Sequence, residues 1–183
     1  MIRQTLSDTD LVRNLRSGSR NAFEELYLRH KDALYDYCSR LLRDGARAED
    51  IVHDSFLTIW NDAQTLKDPG SFRSWMFSIA RHRALNAIRD RKSFDELFDD
   101  SLPGDDDSHS ILVRNEQSDL ISDLLEMIRP AYKDLIVLKD YENFSYADIA
   151  NITGLSVASV RIHLFRARKA LAKAYSKKHG EKE

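Results

Sequence analysis

A single cysteine, Cys38, excludes an internal disulfide, and its surroundings, "YDYCSRLLRD", hold neither a second thiol nor the spacing of a zinc site. Proline and glycine are scarce, three and six in 183 residues, and no segment alternates apolar with polar residues over the length of a strand. The folded parts are therefore expected to be all-α. No apolar run reaches the length of a membrane span, and "MIRQTLSDTD" lacks the apolar stretch of a signal peptide. The chain is expected to remain in the cytoplasm without membrane insertion. There are no internal repeats, no glycine-rich phosphate loop, no nucleophile elbow and no paired carboxylates on a rigid site. Glu49 and His53 stand four apart but lack a third ligand nearby, so neither an enzyme, a cofactor nor a metal is expected.

What is present is charge, and it is segregated. The net charge is only −2, yet residues 1–92 carry 16 Lys and Arg against 13 Asp and Glu, residues 93–120 carry 1 against 9, and residues 121–183 carry 11 against 8. Two mildly basic blocks flank an acidic one. The acidic block contains "SFDELFDDSLPGDDDSHS", with Pro103-Gly104 and no basic residue, which is linker chemistry. The expected layout is two small helical domains, 1–92 and 119–176, joined by a flexible acidic linker over 93–118 and followed by a polar tail, 177–183. About 25 residues at ~3.5 Å each reach ~85 Å, enough for the two domains to act on separated targets.

Apolar spacing places helices at about 8–17, 21–43, 47–63 and 72–91, the last with Ser71 as its cap, and at about 112–128, 130–141, 146–152 and 157–175. Pro130 suits a first helical position. Ser145 with Asp148 reads as a capping box, Thr153-Gly154-Leu155 as a turn, and Ser156 as the cap of the final helix. Together they form a helix-turn-helix pattern. From Ser156 to Lys178 there are seven Lys or Arg and no acid. At ~100° per residue Val157, Val160, Leu164, Ala167 and Leu171 share one stripe, expected to be buried. Opposite lie Ala158, Ser159, Ile162, Phe165, Arg166 and Lys169, with Arg161 beside them. Two apolar side chains among cations suit a DNA major groove, where thymine offers a methyl group and guanine edges and phosphates attract arginine.

Along 48–60, Ile51, Val52, Phe56 and Ile59 form a core stripe and leave Asp50, His53, Asp54 and Leu57 outward, an exposed leucine ringed by polar groups as on a partner surface. Along 72–91, Phe72, Met76, Ile79, Arg83 and Ala87 share a face, with Trp75 and Ala80 on its flanks and the Arg83 stem expected to snorkel to its edge. Ser74, Ser78, Arg81, His82, Leu85 and Arg89 lie roughly opposite.

"RPAYKDLIVLKDYENFSYADIANITGLSVASVRIHLFRARKAL" resembles region 4 of the extracytoplasmic-function (ECF) group of bacterial RNA polymerase sigma factors. "NAFEELYLRHKDALYDYC", "RAEDIVHDSFLTIW" and "FRSWMFSIARHRALNAIRDR" resemble their region 2, and the resemblance covers nearly the whole chain in the right order. It implies a dissociable subunit that binds core RNA polymerase and promoter DNA, often under the control of an anti-sigma factor. It further implies that Asp50, His53, Asp54 and Leu57 meet the polymerase clamp. Ser74, Ser78, Arg81, His82, Asn86 and Arg89 would meet the −10 element, and "TLKDPGS" would pocket a base flipped from the stack. Ser156, Ser159, Arg161, Ile162, Phe165, Arg166 and Lys169 would meet the −35 element. The alternative is an autonomous helix-turn-helix regulator, which would normally dimerise on two half-sites; no sustained heptads supply a dimerisation helix.

Overall fold

The structure, a computed structural model, describes residues 6–91 and 116–180, and every regular element among them is helical. The chain forms two compact units. The first is built on α1 (Asp8–Arg16), α2 (Arg20–Leu42), α3 (Gly45–Asp62) and α4 (Phe72–Arg91) as far as Ala84; the second on the end of α4, α5 (Glu116–Glu126), α6 (Pro130–Ile136), most of α7 (Tyr146–Thr153) and α8 (Val157–Gly180). No described helix is long and apolar enough to cross a membrane.

Each of the first three helices starts where a short polar side chain takes over the orphan backbone donors. Ser7, Ser19 and Asp44 accept from the backbone of Asp10, Ala22 and Arg47 respectively. The core joins Leu11, Val12 and Leu15 of α1 to Leu26, Leu34, Tyr37 and Cys38 of α2, Ile51, Val52, Phe56 and Ile59 of α3, and Phe72, Met76 and Phe77 of α4. Aromatic edges meet aromatic faces across it: Phe23 with Trp60 at 5.2 Å, Tyr27 with Phe56 at 4.8 Å and Tyr37 with Phe77 at 5.2 Å between ring centres. Polar contacts fasten its rim, where the Asp8 carboxylate meets Arg29 at 3.0 Å and His30 at 2.6 Å.

In the second unit Leu125, Ile128, Ile136 and Ala167 pack together, with Tyr132, Tyr141, Ala170 and Leu171 around them. Pro130 occupies the first turn of α6, as expected. The single helix expected over 130–141 is instead α6 followed by a π-helical stretch, Val137–Tyr141. A π turn inserts one more residue per turn than the α-helix, and periodicity alone does not reveal it. The expected tail also differs. No proline or glycine interrupts α8 before Gly180, and Lys178 donates to Asp123 at 2.8 Å, so the helix continues past 177. The expected linker lies outside the described residues except for Glu116, Gln117 and Ser118, which belong to α5.

Candidate nucleic-acid interface

The helix-turn-helix is built as its local chemistry demands. Ser145 Oγ accepts from the Asp148 backbone N–H at 3.1 Å, while the Asp148 carboxylate accepts from the Ser145 backbone N–H at 3.1 Å and its hydroxyl at 2.6 Å. This reciprocal box satisfies donors that the first turn of α7 would otherwise leave bare. Gly154 ends α7 at φ +75°, a left-handed conformation that favours glycine, and its N–H reaches Ala150 O at 2.9 Å. Ser156 then opens α8, its Oγ accepting from Ser159 N at 3.1 Å and lying 2.8 Å from Ser159 Oγ. Both serines on the expected DNA face are thus tied to each other in the first turn.

Along α8, Val160, Leu164, Ala167 and Ala174 are buried and Leu171 is half-buried. Val157, expected on the same stripe, is 38% exposed, because it lies in the first turn, before the buried run that opens at Val160. The opposite face stands open. Ile162 is 54% and Phe165 70% exposed, and Arg161, Arg166 and Lys169 are exposed with them. Burying the other stripe leaves these apolar groups facing water, at a hydration cost that a partner surface removes.

In the first unit, α3 presents Asp50, His53, Asp54 and Leu57 to solvent as expected, Leu57 at 48% exposure. Asp54 has an additional task. Arg83 of α4 reaches its carboxylate at 3.3 Å and donates to Thr58 Oγ1 at 2.8 Å. The arginine that interrupts the apolar stripe therefore snorkels to a pair of acceptors on α3.

The expected face of α4 is rotated in the fold. Phe77, Ala80 and Ala84 are buried with Phe72, Met76 and Ala87, whereas Ile79 is only half-buried. The buried arc is displaced toward Phe77, the large aromatic that meets Tyr37, with Ala80 and Ala84 buried on the same side. Ser74 falls at its edge, 9% exposed, and so is not part of an open DNA face. Ser78 is half-buried and donates to Trp75 O at 2.7 Å; Arg81 and Asn86 are half-buried; His82 and Arg89 are exposed. Ser71 does not cap α4. Asp68 caps a single 3-10 turn, Pro69–Ser71, by accepting from Gly70 N at 3.0 Å and Ser71 Oγ at 2.7 Å, and that turn runs directly into α4. The Ser71 and Gly70 hydrogen bonds hold the Asp68 carboxyl below its ordinary range, so the "TLKDPGS" loop carries a fixed anion. Sequence reasoning missed Asp68; the Asp-Pro-Gly-Ser order was its signal.

Comparison with known proteins agrees with this geometry. Residues 26–94 match the family described as Sigma-70 region 2, and residues 118–171 that described as Sigma-70, region 4. The chain is 27% identical to RNA polymerase sigma factor CarQ of Myxococcus xanthus, over 87% of this chain and 92% of that one. It is 25% identical to the ECF RNA polymerase sigma factor SigW of Bacillus subtilis, over 88% and 93%. Among solved structures, the fold is similar to CnrH in complex with the cytosolic domain of CnrY, with a TM-score of 0.73 at 23% identity over 93% of this chain and 97% of that one. It is also similar to the sigma factor RpoE in complex with the anti-sigma factor NepR from Bartonella quintana, with a TM-score of 0.64 at 23% identity over 84% and 96%. With both sigma regions matched in order on a chain that also carries the helix-turn-helix and the outward faces described above, the protein belongs to the ECF group of RNA polymerase sigma factors.

Proposed function

We propose that two segments of the chain divide the work of promoter recognition, with residues 1–92 binding core polymerase and the −10 element and residues 119–176 reading the −35 element. The observation that carries this reading is the outer face of α8, where Ile162 and Phe165 stand exposed among Arg161, Arg166 and Lys169 on the second helix of a helix-turn-helix. Such a face has an apolar group for a thymine methyl, a guanidinium for guanine and cations for phosphates. Leu57, with Asp50, His53 and Asp54, serves as the anchor for core polymerase. His82 and Arg89, supported by Arg81, Asn86 and Ser78, face the −10 element, and the Asp68 loop lines the pocket for an extruded base. The protein works in the cytoplasm as a transcription initiation factor rather than as an enzyme. An anti-sigma factor restrains it, a partner of the kind seen with RpoE.

Pull-down with core polymerase followed by run-off transcription tests the reading. The holoenzyme is expected to start at one defined site, and the free protein, with a net charge of only −2, to hold promoter duplex weakly. Tight, specific duplex binding without polymerase would instead support the autonomous regulator.

A further inference from the structure

The structure gathers cations around one tyrosine ring at the flank of the recognition helix. The Tyr146 ring, half-buried at the start of α7, has Lys139 Nζ 5.1 Å and Arg161 Cζ 5.6 Å from its centre. Lys139 belongs to the π-helical stretch, whose wider turn shifts its side chain out of the register that α6 would impose. Its ammonium also donates to Phe144 O at 2.9 Å, which uses one of three N–H donors. The next residue, Asp140, pairs with Arg168 of α8 at 2.7 Å. That hydrogen bond and charge raise the Arg168 guanidinium above its ordinary value, with a smaller contribution from Tyr146. Asp140 is thus engaged by Arg168, while Lys139 and Arg161 face the ring.

We infer that Tyr146, Lys139 and Arg161 form a preorganised clamp for one backbone phosphate of the duplex that α8 reads, an inference that rests on the DNA-reading role proposed above. A ring quadrupole attracts both cations and restricts two long, flexible side chains, so less freedom is lost when an anion arrives. The two cations repel each other, and an anion between them relieves that repulsion. Arg161 immediately precedes Ile162, so a phosphate held here fixes the register of the outward face on the bases. Lys139 adds no base preference of its own, because a compact ammonium reads charge rather than a donor and acceptor pattern, and with Arg161 held over the ring its guanidinium is committed to the same phosphate. Tyr146 is accordingly a positioning residue and Lys139 a contact.

The test measures holoenzyme binding to a promoter duplex as a function of salt, on a set of upstream sequences. Lys139→Gln is expected to reduce the slope of log affinity against log salt by about one and to weaken all upstream sequences alike. Tyr146→Phe keeps the ring and is expected to bind within about twofold of wild type, whereas Tyr146→Leu loses about threefold to tenfold on every sequence. An unchanged slope for Lys139→Gln overturns the clamp, as does equal loss in Tyr146→Phe and Tyr146→Leu, or loss confined to one base position. Should Tyr146→Leu lose helicity, the Lys139→Gln slope and the Tyr146→Phe affinity decide. A wild-type holoenzyme indifferent to upstream sequence refutes the DNA-reading role itself; selective wild type with unaltered variants refutes the clamp alone.

Discussion

Removing the Phe165 ring should cost promoter binding only where it meets a thymine methyl. A phenylalanine side chain offers roughly 200 Å² of surface, and 70% of the residue is exposed. A single methyl group covers a fraction of that, on the order of 40 Å², and loses a similar area itself. At ~25 cal/mol per Å² the pair contributes about 1 to 2 kcal/mol, or about fivefold to thirtyfold in affinity. The cleanest assay compares thymine with deoxyuridine at each upstream position, because that exchange deletes the methyl and nothing else. Wild-type holoenzyme should lose the stated factor at one position on deoxyuridine, while Phe165→Ala should bind both duplexes equally. Thermal stability should not change, since the ring packs against no core. If Phe165→Ala retains the full thymine preference, or weakens all positions uniformly, the apolar face does not read methyl groups and packs against polymerase instead.

Three further outcomes are expected. Leu57→Ala should weaken assembly with core polymerase about tenfold in a competition pull-down without loss of helicity by circular dichroism; it is a cleaner test than replacing Asp54, whose loss also frees Arg83. Ser145→Ala removes half of the capping box and should destabilise the helix-turn-helix by ~1 kcal/mol, read as a lower urea midpoint, and an unchanged midpoint counts against the capping account. Burial pushes the Cys38 thiol from its ordinary 9.0 up to about 12, so in the folded protein it should resist thiol reagents at neutral and mildly alkaline pH and react on unfolding. Because the folded state keeps that proton longer, stability attached to Cys38 is complete below pH 9.0 and declines as pH rises toward about 12; a fast reaction of native protein at neutral pH contradicts the burial.

The outward faces of α8 and α3 were legible in the amino-acid order because each helix has one dense apolar stripe at the helical period. A stripe of Val160, Leu164 and Ala167 leaves Ile162 and Phe165 only the other side, and Ile51, Val52, Phe56 and Ile59 do the same for Leu57. The capping box and the Gly154 turn were legible because their donors and acceptors are local in sequence. Tertiary structure decided what local order leaves open. Apolar residues surround α4 almost evenly, so its orientation was set by packing such as that of Phe77 on Tyr37, which buried Ser74 and left Ile79 half-buried. The Arg83 partnership joins residues 29 positions apart, and the gathering of Lys139 and Arg161 on Tyr146 needs a π turn and two helices brought together. Periodicity reports one helix at a time; contacts between helices depend on the depth and angle at which their side chains interlock, and these arise only on folding.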